Sequence, residues 1–358
     1  MRTRPDGRRP STTRPVRVGI LGAGWPGQRH ADGYAACPDA ELVAISDLNA
    51  ERRRAFAARY GVERTYGDYE NLLADSDVEA VSIALPNFLH EPATIAALEA
   101  GKHVLCEKPP ARTRAEAAAM AAAAAQQERV LAYALQRRFL PATEQLREHV
   151  QQGTLGTLYH ARAVWTRAWG VPQGEADWFT DPDRAGGGAL IDIGIHALDL
   201  AWYVMGCPAP IAVSGQVHNR FPDQTATEDS AFALIRCAGG RTLQLEASWV
   251  LAKAHDEHGV YVYGTEGGAT LEERALALHR VGADGRTTER PPVPSGWPDD
   301  YVTPFEAQAS DFIRAIREGT TPRTPAAHGT QLMTLLDAIY ASSEAGREVR
   351  LDAVADSA

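Results

Sequence analysis

Short apolar runs alternate with helix-forming stretches from residue 16 to residue 135, and this rhythm constrains the fold more than any other feature. Runs of this length are typical of parallel strands that are buried on both faces. Strands that alternate with helices predict a doubly wound α/β sheet with right-handed crossovers. The predicted strands are Val16–Leu21, 42–46, 80–85, His103–Cys106 and 130–135, and the predicted helices are Trp25–Ala36, Ala50–Tyr60, 91–100 and 114–127.

The rhythm changes after Pro141, where one more predicted helix is followed by strand-like segments that succeed one another through short turns. This order predicts an α+β unit with a mainly antiparallel open sheet. Something must cover the broad face of such a sheet, and a second copy of the chain is a candidate. The segments are 157–169, 211–219, 227–237, 241–250 and 258–264, followed by a proline-rich loop at 287–300 and helices near 304–317 and 328–344.

A glycine-rich turn joins the first predicted strand to the first predicted helix. Gly22, Gly24 and Gly27 match G-x-G-x-x-G. In this motif the first glycine allows a tight turn, the second lets a pyrophosphate approach the backbone, and the third lets helix and strand pack closely. The helix start, with Trp25 and Pro26, would present free amides to the phosphates, and proline suits a first helical turn. The motif predicts a dinucleotide site.

Asp47 ends the second predicted strand, at the distance after Gly27 that this site requires. A carboxylate there accepts hydrogen bonds from both ribose hydroxyls and repels a 2′-phosphate, so it favours NAD over NADP. The alternative is that Asp47 only caps the following helix.

A second glycine run, Gly186-Gly187-Gly188, precedes a segment that carries Asp192, His196 and Asp199. If a helix begins near Leu190, these three side chains lie on one face. An imidazole with a pKa near neutrality suits the removal of a hydroxyl proton while hydride leaves the same carbon. A nearby carboxylate can fix its tautomer and raise its pKa.

Lys108 follows the predicted strand His103–Cys106 and is one of three lysines in a chain with 33 arginines. An ammonium is a compact charge whose pKa moves with its surroundings, whereas a guanidinium stays charged. At the end of a parallel strand, Lys108 would face the cofactor crevice and stabilise a developing alkoxide or relay a proton. Two alternatives stay open: the histidine and aspartates ligate a metal, or they only form hydrogen bonds in the core. His255-Asp256-Glu257-His258 also permits a metal, but a solvated loop is favoured, and we expect no metal.

In their order along the chain, these motifs resemble the glucose–fructose oxidoreductase / inositol dehydrogenase (Gfo/Idh/MocA) family of NAD(P)-dependent oxidoreductases. The glycine-rich turn, Glu107-Lys108-Pro109 and Gly187-Gly188…Asp192-x-Gly194-x-His196 all match, and the resemblance covers nearly everything after Val16. It implies that Lys108, Asp192 and His196 form the catalytic group, with His196 as general acid/base. It also implies that Lys108 contacts the nicotinamide ribose and the substrate.

The resemblance implies further contacts. Pro86-Asn87-x-x-His90 is similar to the family's segment after the fourth strand, which lines the cofactor. Residues 136–139 occupy a stretch that typically reads Asn-x-Arg-Phe, from which Gln136 departs. The cofactor contacts implied in this way are Pro86, Asn87, His90, Glu107, Lys108 and Gln136, and the substrate contacts are Lys108, Arg138, Trp178, Asp192 and His196. Four aromatic residues are candidates for stacking on a sugar ring, with core packing as the alternative: Trp165, Trp169, Trp178 and Phe179.

Composition argues against several other classes of protein. A net charge of −10 disfavours sequence-independent binding to nucleic acid or anionic lipid. No apolar window reaches the length of a membrane span. The four cysteines are scattered without a Cys-x-x-Cys pair, as expected of reduced thiols in a cytoplasmic protein.

We therefore expect an NAD-dependent dehydrogenase that oxidises a secondary hydroxyl of a sugar or amino sugar, or reduces the matching keto-sugar. The alternatives are an inositol or cyclitol dehydrogenase, a redox-neutral NAD-dependent sugar-modifying enzyme, and a non-catalytic dinucleotide sensor. The expected organisation is a disordered Arg/Pro-rich tail (1–15), a dinucleotide-binding Rossmann domain (16–138) and a substrate-binding domain (139–358). The second domain would also form a homodimer or homotetramer through its sheet.

Overall fold

The computed structural model describes residues 14–172, 178–272, 275–282, 285–293 and 303–351. The predicted disordered tail lies outside these ranges except for residues 14 and 15. The predicted loop at 287–300 lies partly outside them, and its first residues belong to a strand instead.

The first part of the chain forms a six-stranded parallel sheet in the order β3-β2-β1-β4-β5-β6. The order reverses between β1 and β4, and this switch point opens a crevice at the carboxyl ends of the strands. The strands are β1 (Val16–Leu21), β2 (Ala40–Ser46), β3 (Arg64–Tyr66), β4 (Ala80–Ile83), β5 (His103–Cys106) and β6 (Leu131–Tyr133). The helices are α1 (Trp25–Ala36), α2 (Ala50–Tyr60), α3 (Tyr69–Leu73), α4 (His90–Glu99) and α5 (Arg114–Gln126).

The doubly wound α/β prediction is therefore confirmed. The strand β3 and the helix α3 were not predicted, because each is short. In β3 the three residues are only partly buried, so no apolar run marks the strand. By contrast, all four residues of β4 are buried, as a central parallel strand requires.

The second part forms a nine-stranded sheet in the order β14-β13-β12-β11-β7-β10-β9-β8-β15. Neighbouring strands are antiparallel except for β7 and β10, so the prediction of a mainly antiparallel sheet is confirmed. The strands are β7 (Leu158–Thr166), β8 (Pro210–His218), β9 (Ser230–Cys237), β10 (Arg241–Ser248), β11 (Glu257–Gly264), β12 (Gly268–Glu272), β13 (Ala275–Gly282), β14 (Gly285–Glu289) and β15 (Val349–Arg350). The helices are α6 (Pro141–Gln151), α7 (Pro182–Ala185), α8 (Ile195–Val204), α9 (Thr303–Glu318) and α10 (Ala326–Ala345).

The helix α9 returns to the parallel sheet and packs against α1. Its residues Ala309, Phe312 and Ile313 belong to the same buried cluster as the side chains of β1. The two helices approach closely, because a Cβ on Gly33 would lie 2.6 Å from the carbonyl oxygen of Phe305. The predicted domain boundary at residue 138 therefore places β1–β6 in one domain and α9, which completes their core, in the other.

Within the described ranges, no helix combines the length and the apolar character that a membrane crossing requires. The four cysteines are free thiols, of which Cys37, Cys106 and Cys237 are buried.

Candidate active site

The three motif glycines have the geometry that a pyrophosphate requires. Gly22 has φ +99°, and a Cβ on it would lie 2.4 Å from the carbonyl oxygen of Ala84. A Cβ on Gly27 would lie 1.9 Å from the carbonyl oxygen of Gly22, so strand and helix pack too closely for any side chain. Around Gly24 there is open space, with only Pro26 within 4 Å. A phosphate group can approach this part of the backbone, at the start of α1, where free amides point outward.

Asp47 lies against the glycine-rich turn. Its Oδ2 accepts a hydrogen bond from the backbone N–H of Ala23 at 2.8 Å, and its Oδ1 accepts one from the N–H of Asn49 at 2.8 Å. The cap of α2 is Asn49, whose side chain accepts from two backbone amides. The alternative role of Asp47 as the helix cap is therefore wrong. The carboxylate faces the turn, at the position where a ribose would lie.

Lys108 and Asp192 meet across the crevice. The Nζ atom of Lys108 lies 3.1 Å from Asp192 Oδ1 and 3.1 Å from the Asp192 carbonyl oxygen. Both side chains are mostly buried, with exposed fractions of 18% and 13%. The other carboxylate oxygen, Oδ2, accepts a hydrogen bond from Trp249 Nε1 at 3.0 Å. Trp249 is fully buried, so it fixes the carboxylate that in turn orients the lysine.

His196 lies next to this pair in a strongly positive environment. Burial lowers the pKa of His196 well below its usual value, and three cations lower it further: Lys108, Arg137 and Arg167. The expectation that a carboxylate raises this pKa was wrong, since Asp192 is turned toward Lys108 and Trp249. Burial and the surrounding cations both disfavour the protonated imidazolium at this position.

A small pocket adjoins His196, with Arg137, Trp165, His258 and Glu272 among its lining residues. The Arg137 guanidinium lies 4.1 Å from the centre of the Trp165 ring. The rings of His196 and His258 lie 5.2 Å and 4.9 Å from the same indole. Because these side chains surround the indole, Trp165 is a wall of the pocket rather than a platform for a sugar. The expectation that residues 255–258 form a solvated loop was wrong for Glu257 and His258, which begin β11.

The catalytic helix begins with a wide turn. Residues Leu190–Gly194 form a single π-helical turn, and α8 follows from Ile195. In a π turn, residues four apart no longer lie one above the other, and such turns are frequent at functional sites. Asp192 lies in this turn, so the regular spacing that was expected to place it on one face with His196 and Asp199 does not hold.

Asp199 instead forms a buried ion pair with Arg138. The Arg138 Nε atom lies 3.0 Å from both carboxylate oxygens, and both side chains are buried. Arg138 Nη1 also donates to the carbonyl oxygen of Arg323. The Arg138 guanidinium is therefore engaged in the core, and its predicted substrate contact stays a prediction. Its neighbour Arg137 reaches the pocket instead.

The second glycine run is shaped by a buried acid that the sequence did not reveal. The Oε2 atom of Glu228 accepts from the N–H of Gly188 at 2.8 Å, and Oε1 accepts from the N–H of Leu190 at 3.0 Å. Tyr340 donates to the same carboxylate at 3.0 Å. Burial raises the pKa of Glu228. A Cβ on Gly188 would lie 1.9 Å from the Glu228 carbonyl oxygen and one on Gly187 would lie 2.1 Å from the Tyr340 hydroxyl, so both positions need glycine.

Glu107 and His90 lie behind the lysine. Glu107 Oε1 is 3.0 Å from His30 Nε2, and Oε2 accepts from the backbone N–H of Lys108. Burial alone would raise the pKa of Glu107, but the hydrogen bond from His30 and the charge of Lys108 outweigh burial, and the pKa is lowered. His90 is fully buried, with its ring nitrogens 2.7 Å and 2.8 Å from the carbonyl oxygens of Pro109 and Leu85. The ring therefore holds the loop after β5 against the end of β4, and the cofactor contact predicted for His90 stays a prediction.

The remaining residues that were predicted to contact cofactor or substrate lie on several different elements. Pro86 precedes a short 3₁₀ helix (Asn87–Leu89), and Asn87 donates from Nδ2 to the carbonyl oxygen of Ala185 at 2.8 Å, joining the two parts of the chain. Gln136 has a buried Oε1 without a hydrogen-bond partner in the described part of the protein. Trp25 is 57% exposed at the start of α1. Trp178 stacks on Phe179 with ring centres 3.9 Å apart.

No group of three or more His, Cys, Asp and Glu side chains in the described ranges is arranged to hold a metal ion. The site instead combines a glycine-rich turn open to a phosphate, an acid beside that turn, and a lysine, a carboxylate and a buried imidazole near the carboxyl ends of the strands. The carbinol carbon of an alcohol can lose hydride to a dinucleotide here while its hydroxyl proton passes to the imidazole. The fold and the site thus define a dinucleotide-dependent oxidoreductase.

Comparison with known proteins identifies the family. Residues 16–135 match the oxidoreductase family with an NAD-binding Rossmann fold, and residues 143–270 match the GFO/IDH/MocA C-terminal domain. The chain belongs to the Gfo/Idh/MocA family of NAD-binding oxidoreductases, and the resemblance seen in its motifs is confirmed.

Individual relatives cover nearly the whole chain. It is similar to the D-glucoside 3-dehydrogenase of Escherichia coli K12, with 35% identity across 95% of this chain and 99% of the relative. It is also similar to the levoglucosan dehydrogenase of Pseudarthrobacter phenanthrenivorans, with 29% identity across 92% of this chain and 96% of the relative. A solved structure of a levoglucosan dehydrogenase with NADH and levoglucosan matches with a TM-score of 0.87 and 29% identity, over 94% of this chain and 99% of the other.

Proposed function

We propose that the protein is an NAD-dependent dehydrogenase that oxidises a secondary hydroxyl of a glucoside or a related sugar, or reduces the matching keto-sugar. The observation that carries this proposal is the Lys108–Asp192 contact of 3.1 Å beside the buried ring of His196, at the end of the crevice that begins with the glycine-rich turn. Relatives that cover nearly the whole chain are named as sugar dehydrogenases, which supports the substrate class.

Each catalytic side chain has one task in this proposal. The glycine-rich turn and Asp47 would hold NAD, which would supply the hydride acceptor. His196 takes the hydroxyl proton as the general base. The Lys108 ammonium stabilises the negative charge that develops on the substrate oxygen. Asp192 holds Lys108 in position, and Trp249 holds Asp192.

The test is formation of NADH, followed by absorbance with a panel of D-glucosides, free sugars and cyclitols. We expect turnover with at least one glucoside. His196→Ala should lower turnover by at least a hundredfold, on the scale of the contribution of a general base. The affinity for NADH, measured by fluorescence titration, should stay within about twofold of the wild-type value. If His196→Ala keeps turnover within a few-fold of wild type, the general base lies elsewhere.

The same assay separates the alternatives. Product without net NADH supports a redox-neutral reaction, for which a structural relative named aldose-aldose oxidoreductase offers a precedent (TM-score 0.82, 26% identity). Activity confined to cyclitols supports an inositol-type dehydrogenase. Tight NAD binding without any product supports a dinucleotide sensor.

We further propose that residues 16–138, completed by α9, hold NAD and that the remainder of 139–358 holds the sugar. A homodimer or homotetramer through the outer face of the nine-stranded sheet would cover exposed Leu234 and Tyr263. Light scattering on the wild type and on Tyr263→Glu tests this assembly. A cytoplasmic location is supported by the free thiols and by the need for NAD, and cell fractionation would test it.

A further inference from the structure

Trp169 and Phe221 form an exposed aromatic pair that the proposed mechanism does not use. Their ring centres lie 5.5 Å apart in a T-shaped arrangement. The exposed fractions are 56% for Trp169 and 37% for Phe221. Neither residue belongs to a buried hydrophobic cluster. Exposed apolar side chains that adjoin each other, rather than lie scattered, can mark a ligand-binding surface.

The chain places Trp169 between two residues that border the catalytic side chains. Trp169 is two residues after Arg167, whose charge acts on His196. It is two residues before Val171, which belongs to the same small cluster as Trp249. Two residues of chain span at most about 7 Å. The backbone of Trp169 is therefore within that distance of two residues that border the catalytic group.

Both loops that carry the pair are held by hydrogen bonds. The Arg167 Nη1 atom donates to the carbonyl oxygen of Gly170 at 3.0 Å and closes the turn that presents Trp169. The buried carboxylate of Asp229 accepts from the backbone N–H of Phe221 at 3.0 Å. Asp229 directly follows Glu228, the acid that fixes the second glycine run. The two rings are thus preorganised, and a partner that stacks on them loses little affinity to loop ordering.

We propose that Trp169 and Phe221 form an outer subsite for the aglycone of a glycoside, with a second sugar ring as the preferred group. The proposal rests on the proposed function and specifies its substrate class. A pyranose ring has an apolar C–H face that packs against an aromatic ring, while its hydroxyls stay in water. A relative of this chain is named for D-glucosides, which carry a group at this position by definition. A glucosyl disaccharide would place one ring at His196 and the other at Trp169.

The experiment compares kcat/KM for a methyl D-glucoside with kcat/KM for D-glucosyl disaccharides. Trp169→Ala should lower kcat/KM for the disaccharide about tenfold through KM, the scale of one aromatic contact. Phe221→Ala should also lower kcat/KM for the disaccharide more than for the methyl glucoside, but by a smaller factor than Trp169→Ala. Neither change should alter kcat/KM for the methyl glucoside by more than about twofold. The matched control is Tyr159→Ala on β7, an aromatic side chain with 51% exposure, which should leave both substrates unaffected.

Three results would overturn the subsite. The first is equal loss for both substrates, and the second is no loss for either. The third is a change of oligomeric state in Trp169→Ala by light scattering, which would make the pair a subunit contact. If the wild type forms no NADH with any glucoside, the proposed function fails together with the subsite, and this result is distinguishable because it appears before any substitution is made.

Discussion

The role of Asp47 in cofactor choice can be tested with a single substitution, Asp47→Ala. A carboxylate offers about four acceptor positions, and two of them are used by the N–H groups of Ala23 and Asn49. The remaining two suit the two ribose hydroxyls of NAD. NADP has only one free hydroxyl there, and its 2′-phosphate is repelled by the carboxylate.

The expected magnitude follows from this count. Asp47→Ala also removes the hydrogen bonds that hold the glycine-rich turn. This loss affects the binding of both cofactors equally, so it cancels in the ratio of their affinities. NAD loses one more hydrogen bond to a charged group, which contributes about 1.5–3 kcal/mol. NADP is relieved of repulsion of about 1 kcal/mol for each pair of unit charges at 4 Å in water. The ratio of NADPH to NADH affinity should therefore rise by about a hundredfold.

The assay is fluorescence titration of NADH and NADPH, which needs no sugar. Asn49→Ala is the matched control, because it removes the α2 cap and leaves the carboxylate in place. That control should change both affinities by the same factor. An equal loss of NADH and NADPH binding in Asp47→Ala would refute the reasoning and leave Asp47 with a structural role only.

Three further predictions concern the chemistry and the stability. Lys108→Arg keeps the charge but cannot place a compact ammonium 3.1 Å from Asp192, so kcat should fall by at least tenfold; an active variant would mean that charge alone suffices. Trp249→Phe removes the N–H that fixes the Asp192 carboxylate and should lower kcat about tenfold, without the loss of NADH binding that general damage would cause. Burial, aided by arginine charges, lowers the pKa values of His103 and His328 to about 4. The unfolded chain takes up these protons near pH 6.5, whereas the folded chain takes them up near pH 4. The free energy of unfolding, measured by urea titration, should therefore fall as the pH is lowered from 6.5 to 4, by up to about 1.4 kcal/mol per pH unit for each histidine. A free energy of unfolding that does not change over this range, or a slope that His103→Asn leaves unchanged, would contradict this assignment.

The parts of the site that local sequence determines were predictable. A glycine with positive φ, such as Gly22, is required by the turn itself, so it appears as a short motif. Lys108 and Asp192 could be paired because each directly follows a recognisable local element. The α/β fold was predictable for the same reason, since buried strands such as β4 leave an uninterrupted apolar run.

The parts that depend on contacts between distant segments were not predictable. Trp249 and Glu228 act on Asp192 and Gly188 from far along the chain, and nothing in their own surroundings marks them. The sequence does not show that Arg138 forms a core ion pair while Arg137 lines the pocket, because this depends on which of the two side chains meets the buried Asp199. A pattern of residue spacing assumes a regular helix, and the π turn at Leu190–Gly194 breaks that assumption.

The return of α9 to α1 has a consequence for how the molecule is made. The buried face of α1 contacts Phe305, Phe312 and Ile313, which are synthesised long after β6. During translation, the nascent cofactor-binding half leaves the ribosome with this apolar surface uncovered, and it can close only when the chain has grown past α9. A fragment that stops at residue 138 keeps every motif glycine and still exposes that surface. We therefore expect such fragments to aggregate or to recruit chaperones, whereas a fragment co-expressed with a peptide spanning α9 should be rescued.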